Sequence, residues 1–464
     1  MSSKTDAAIG VAKAPSAVLA DASSSEETPA RYVSLMASMT PESLGSLGIR
    51  VRLEASGKDS MFGCTVLDFE RPNYGSFNLL YTLQFSDGMK WVVRIPAPGE
   101  QGLFTPTSSR FIRSDAMTMS FIRQNTNIPI PEIFDFDETA DNEIGAPYMM
   151  MEFVEGKPVS ELWFDDTGPT PLEERRLRIL DTVAEAMSQL SKFRFDKIGS
   201  LQFGSDASKP TNIGPCNVLD ETSELAAMLD GCEPAITFRK IGPFNTSREY
   251  FQALLNMQDD PSDPASVGIR ELLNMMFQEL PRSLPIKKLE AGSEIEIETE
   301  TFVLAHPDFG PQNVIVSENG SLVALIDWDD VQTVPHCIGN TRYPSWITRD
   351  WDPLRYGYGN PHCGHENSPQ ELEYFRSYYA DKMASLVSES LTFSRKTHVF
   401  EAFWIAVSSP TCSIHIIDKF FKYLFPEGLE KEPLFLYDTA IGLGENTHEE
   451  KWRICEGFRG LLAY

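Results

Sequence analysis

The spacing of apolar and polar residues changes character three times along this chain. Thr40 and Pro41 are an N-cap type followed by a proline fit for the first helical position, which predicts a short helix over 41–53. The texture then becomes that of strands. Runs at 64–71, 79–85 and 90–95 have strand composition, separated by the turn-rich stretch from Arg71 to Asn78 and by Asp87-Gly88. Strands joined in sequence by such turns predict an antiparallel meander, ended by Pro96 and Pro98. A helix is expected over 114–126, with Met117, Phe121 and Ile122 as its apolar face and Pro129 and Pro131 as its stop. A buried strand is expected over 147–154, closed by Gly156.

Beyond 155 the period is mostly helical. Leu172, Leu177, Leu180, Val183, Ala184, Met187 and Leu190 form one stripe of a helix over 171–193. The stretch 195–243 is rich in Gly and Pro and reads as irregular. Helices are expected over 248–256, 267–280, 371–387, 399–407, 414–425 and 452–462, and short apolar strands over 302–305, 314–316 and 322–326. Residues 294–300 alternate acid and apolar, and both an edge strand and a solvated linker fit that pattern. Residues 1–30 are rich in Ala and Ser without a sustained period, the pattern of a disordered tail. No internal repeat is visible.

Composition narrows the function classes. The chain has 464 residues, enough for two or three domains or one large two-lobed unit, and 42% hydrophobic content supports a sizeable core. The net charge is −27, whose field repels phosphate backbones and anionic lipid, so neither a nucleic-acid nor a membrane partner is expected. The seven cysteines are scattered without a CxxC pair, no apolar run reaches membrane-spanning length, and the first thirty residues lack the composition of a secretory or mitochondrial leader. A cytoplasmic chain is the expectation. His336, Cys337, His362, Cys363 and His365 have no standard zinc spacing and read as loop residues.

The chemistry concentrates at His306-Pro-Asp-Phe-Gly-Pro-Gln-Asn313, the turn Asn319-Gly320, and Leu325-Ile-Asp-Trp328. The order is strand, polar loop, strand, turn, strand, with an acid closing the last strand. Phosphoryl transfer needs an anion near the attacking hydroxyl and oxygen ligands for magnesium between the phosphates. Asp308 suits the first task, Asn313 and Asp327 the second, and His306 suits a structural role in the loop.

This set resembles the aminoglycoside phosphotransferase-like family, fungal branch, of the protein-kinase-like superfamily, whose catalytic loop is HxDxxxxN and whose metal strand carries ID. The resemblance extends from about residue 63 to the C-terminus. Tyr74, Gly75, Ser76, Phe77 and Asn78 look like the loop that covers the phosphates, and Arg94 stands where the family usually has Lys. Asp115 stands where a Glu usually pairs with that cation, and Met149 to Val154 resembles the hinge whose backbone meets adenine, at Glu152 and Val154. The segment Arg349-Asp-Trp-Asp-Pro353 looks like a stretch of fungal members. Trp346, Asp350, Trp351 and Asp352 fall where the family builds its acceptor pocket, and they equally fit a role in sealing the core.

The resemblance implies an α+β, two-lobed fold: a disordered tail at 1–30, a small antiparallel β lobe at 31–154, and a large mainly α-helical lobe at 155–464. It implies ATP and magnesium as cofactors and a small-molecule hydroxyl as acceptor, with the oligomeric state open. Two alternatives stay open beside a small-molecule kinase. One is a nucleotide-binding or interaction protein of the same fold without transfer; the other is the same cleft reused for different metabolite chemistry.

Overall fold

The computed structural model describes residues 29–56, 63–75, 77–97, 106–220, 238–258, 264–279, 286–288, 298–353, 356–387, 394–424 and 448–462. Residues 1–28 of the tail expected at 1–30, Ser76 and the first part of the alternating stretch, 294–297, lie outside the described residues. Internal contacts divide the chain into two compact units. One holds the described residues of Met1–Ser109 together with Asp137–Met150; the other holds Arg110–Phe136, Met151–Val218 and the described residues of Phe238–Tyr464.

The first unit is the expected meander. Cys64–Leu67, Asn78–Phe85 and Lys90–Pro96 pair antiparallel, with Cys64 opposite Phe85 and Leu83 opposite Trp91. The hairpin turn runs through Gly88, whose φ of +87° suits a residue without Cβ. Along Asn78–Phe85 burial alternates, so Leu79, Tyr81, Leu83 and Phe85 all face the core, the period-two consequence of the pleat. Tyr148–Glu152 follows Lys90–Pro96 in the hydrogen-bonded order of the sheet. The helix Pro41–Ser56 begins as expected, with Thr40 Oγ1 accepting the Ser43 N–H at 3.1 Å. It lies close on the sheet because Gly48 leaves room: a Cβ there would stand 2.6 Å from Leu83 Cδ1. A further helix, Ala30–Ser38, forms just where the tail was expected to end, with Tyr32 and Leu35 buried.

The second unit is mainly helical. Ser247–Met257, Pro264–Glu279, Thr397–Ser408, Pro410–Leu424 and His448–Leu462 share a core that includes Phe251, Leu272, Met276, Phe400, Phe403, Phe420 and Phe458. Two small sheets are set into it. One orders Leu322–Leu325, Val314–Val316 and Lys157–Pro158. The other orders Val303–Leu304, Gln332–Val334, Gly199–Gln202 and Asn212–Gly214. The last two strands fall in the stretch expected to be irregular. They are three or four residues long and carry no period of their own. What makes them strands is distant: Thr333 Oγ1 accepts the Gly199 N–H at 2.9 Å and donates to the Lys197 carbonyl at 2.7 Å. Glu298–Glu300 is a strand, paired with Ile286–Lys288, and the Glu300 carboxylate accepts the N–H and hydroxyl of Ser247 at 2.7 and 2.6 Å. The helix expected from 114 starts at Pro106. The fold is the expected α+β class, with an antiparallel β unit and a mainly α-helical unit.

Candidate active site

The loop between Val303–Leu304 and Val314–Val316 is tied down at several points. His306 is buried, and its Nε2 lies 2.9 Å from the Ile326 carbonyl. Burial pushes the imidazole pKa down to about 3, so the ring is neutral and Nε2–H donates. The ring packs against Trp328 with centroids 4.5 Å apart. The backbone carbonyl of His306 accepts from Arg342 Nη2 at 2.6 Å, and that of Pro307 from the same nitrogen at 3.3 Å. Arg342 is itself buried and pairs with Glu401 at 3.2 Å.

That clamp presents Asp308. Its Oδ2 accepts from Gln312 Nε2 at 2.8 Å and from Asn313 Nδ2 at 3.0 Å, while Asn313 Nδ2 also reaches the Asp308 carbonyl at 2.9 Å. Oδ1 accepts no hydrogen bond among the described residues. Burial raises the Asp308 pKa and the Asp327 charge adds to that; Arg342 and the two amides oppose it. The Asp327 effect places the two carboxylates in one electrostatic neighbourhood. The strand pair beneath them is continuous, with Val314 opposite Leu325 and the Ile326 N–H bonded to the Asn313 carbonyl at 2.9 Å. Asp327 then leaves the strand in a left-handed conformation, φ 64°.

Asn313 and Asp327 suit magnesium by donor chemistry. Asn313 spends its amide nitrogen on Asp308, which leaves Oδ1, an oxygen with no hydrogen bond among the described residues, and Asp327 adds a charged oxygen. Hard cations take such oxygen donors.

Asp115 sits in the helix Pro106–Asn125, mostly buried, and its Oδ1 accepts the Asp330 N–H at 2.8 Å. Asp330 in turn accepts from Asn217 Nδ2 at 2.8 Å and from Gln332 Nε2 at 2.7 Å. Burial pushes its pKa up to about 7, with the Asp115 charge contributing and the two amides opposing. The Glu152 N–H is taken by the Glu132 carbonyl at 2.8 Å, and Val154 follows on a half-buried stretch.

In the β unit, Arg94 is buried in Lys90–Pro96, opposite Leu80. Tyr74 and Asn78 flank a tight hairpin in which the Gly75 N–H donates to the Asn78 carbonyl at 2.9 Å and the Phe77 carbonyl accepts the Ala97 N–H at 2.7 Å. The Tyr32 hydroxyl braces it, donating to the Gly75 carbonyl at 2.9 Å, and a Cβ on Gly75 would meet nothing within 4 Å.

The four residues expected near an acceptor part company. Asp350 is buried and bonded to both terminal nitrogens of Arg376, at 2.6 and 3.3 Å. Trp351 is buried in the helical core, with its ring 4.9 Å from that of His398. Both seal the core, the second of the two roles their pattern fits. Trp346 lies nearer the His306–Asn313 loop, 6.1 Å from the Phe309 ring, and Asp352 contributes to the field on Glu401. His336, Cys337 and His365 go to separate partners: Thr301 for His336, the core for Cys337, and the Phe164 ring for His365. Gln312, Arg342, Glu401, Asp330, Asn217 and Gln332 escaped the sequence reading. Only Gln312, inside the loop motif, and Asp330, in the acid run after Trp328, carried a local signal.

The sequence model of the APH phosphotransferase enzyme family matches residues 68–335. A subtelomeric hrmA-associated cluster protein of Aspergillus fumigatus is 32% identical over 132 residues, 28% of this chain and 24% of that one. A protein of Yarrowia lipolytica named altered inheritance of mitochondria protein 9, mitochondrial, is 24% identical over 314 residues, 61% of this chain and 51% of that one. The chain therefore spans about a quarter to about half of the length of these curated relatives. Among solved structures, a putative aminoglycoside phosphotransferase of Ralstonia eutropha aligns with 90% of this chain and 98% of its own, at 13% identity and a TM-score of 0.44. The expectation of a cytoplasmic chain is corrected here. The same mitochondrial name recurs among relatives from several yeasts, so the composition of the first thirty residues does not decide the compartment.

Proposed function

Because the chain belongs to the APH phosphotransferase enzyme family, we propose that it transfers a phosphoryl group from ATP, with magnesium, to a hydroxyl of a small molecule. The observation that carries this reading is the state of Asp308. One of its oxygens is fixed by Gln312 and Asn313, which orients the carboxylate, and the other is left for a hydroxyl to approach. Arg342 holds the backbone on which Asp308 stands and opposes part of the rise that burial and the Asp327 charge give its carboxyl.

In this reading Asp308 orients the acceptor hydroxyl and takes its proton as the hydroxyl oxygen bonds to the γ-phosphorus and the bond from that phosphorus to the ADP oxygen breaks, with ADP leaving. Asn313 and Asp327 would hold magnesium, which neutralises charge on the phosphates when bound. Arg94 and the hairpin of Tyr74, Gly75, Phe77 and Asn78 would hold phosphates, and the backbone at Glu152 and Val154 would meet adenine. A nucleic acid or membrane partner is not part of this reading. The acceptor is a small molecule, for which Trp346 and Asp352 are the remaining candidate contacts.

Calorimetric titration with ATP, with and without magnesium, tests it on the full chain. Asp308→Asn should leave magnesium-ATP affinity near wild type while lowering turnover about 10²–10⁴-fold. Asp327→Asn should weaken the magnesium-dependent part of binding. Loss of nucleotide binding in Asp308→Asn with no effect of Asp327→Asn would refute these roles.

A further inference from the structure

Asp327 and Asp330 both stand in the left-handed backbone region, with φ 64° and 55°, on either side of Trp328 and Asp329. Most residues with a Cβ avoid that region, and Asp is among the few that enter it when hydrogen bonds hold it there. The middle is anchored by Trp328, which is fully buried and donates from Nε1 to the Leu325 carbonyl at 2.8 Å. The far kink is held from three directions: Asn217 and Gln332 grip the Asp330 carboxylate, and Asp115 accepts its N–H.

The third grip is the informative one. Asp115 comes from a helix 215 positions away in sequence. Its charge is unfavourable beside Asp330, whose carboxyl it helps burial to push up to about 7. What Asp115 supplies to this segment is therefore an oxygen acceptor at the right place.

We propose that Asp115 is a positioning residue that holds the Asp330 kink by accepting its backbone N–H and thereby orients Asp327 for the metal. The second half of this rests on the reading of Asp327 as a magnesium ligand. The role is distinct from that of an ion partner for a cation, which the family resemblance implies for this position.

The two roles separate by substitution. Asn carries an acceptor oxygen at the same distance along the side chain and no charge; Ala carries neither. Amide hydrogen exchange resolved at Asp330 reads the hydrogen bond without any nucleotide. It should speed up about tenfold in Asp115→Ala and stay near wild type in Asp115→Asn, the scale expected for leaving an N–H without its acceptor. Calorimetry reads the consequence. The magnesium-dependent gain in ATP affinity should fall about tenfold in Asp115→Ala and be kept in Asp115→Asn. Unchanged exchange at Asp330 in Asp115→Ala would overturn the proposal. So would an Asn variant that behaves like the Ala variant, because that is the result of a charge role. If exchange follows the expected pattern while wild-type ATP binding shows no magnesium dependence, the hold on Asp330 stands. The step to the metal is then overturned together with the assignment of Asp327.

Discussion

Replacing Asp330 by Asn should flatten one part of the pH dependence of stability, and the structure sets its size. The carboxyl rises from an ordinary 3.8 to about 7 in the folded chain, mainly through burial. Between those values the folded state holds a proton that the unfolded state has released. The associated stability is fully present below about pH 3.8 and is lost as pH rises through about 7. Roughly three pK units at about 1.4 kcal/mol each give a ceiling of about 4 kcal/mol. Asp330 is only half-buried by surface exposure, so water screens part of this, and about 2 kcal/mol is the working figure. Asp330→Asn removes the titration and keeps the side-chain shape. Urea unfolding of both proteins at pH 4 and pH 8 checks the difference, which should shift by about 2 kcal/mol in favour of the variant at the higher pH. His306, Asp308 and Glu401 also titrate, but they are common to both proteins and cancel. Parallel stability profiles across this window would refute the reasoning.

The clamp on the His306–Asn313 loop makes a second prediction. Arg342→Ala leaves Glu401 buried without its partner, and a loss of about 3–5 kcal/mol is expected in denaturant unfolding. Adding Glu401→Gln should recover much of that stability but not the hold on the His306 carbonyl, so turnover should stay low while the fold returns. In the β unit, Arg94→Ala should weaken ATP binding far more than adenosine binding, measured by competition. Equal losses for the two would assign Arg94 a structural part instead.

Much of this protein was legible along the chain because the signals were local. The meander needed only period-two runs and the Asp87-Gly88 turn, and Tyr81, Leu83 and Trp91 then fell on the buried side by the geometry of the pleat. The helical stripe at Leu180, Val183, Ala184 and Met187 is buried for the corresponding reason, a 3.6-residue period. Asp308, Asn313 and Asp327 were readable because a loop and its following hairpin are short enough for spacing to imply proximity.

Tertiary structure decided whatever depended on partners far away in sequence. Gly199–Gln202 and Asn212–Gly214 are strands because Thr333 and each other's backbones meet them, and no window of residues around 200 contains that information. Asp350 and Trp351 had the residue types of a binding pocket, but Arg376 and the rings near His398 claim them. Arg342 and Glu401 are ordinary charges in the sequence. They become the support of the His306–Asn313 loop only when burial removes water and leaves each the other's charge to satisfy. Asp115 shows the division most clearly. The family resemblance implied only a cation partner for it, and the packed helix also sets its oxygen 2.8 Å from the Asp330 N–H. Periodicity reports which face a residue occupies; which donor lies within hydrogen-bonding reach is set by how distant segments pack.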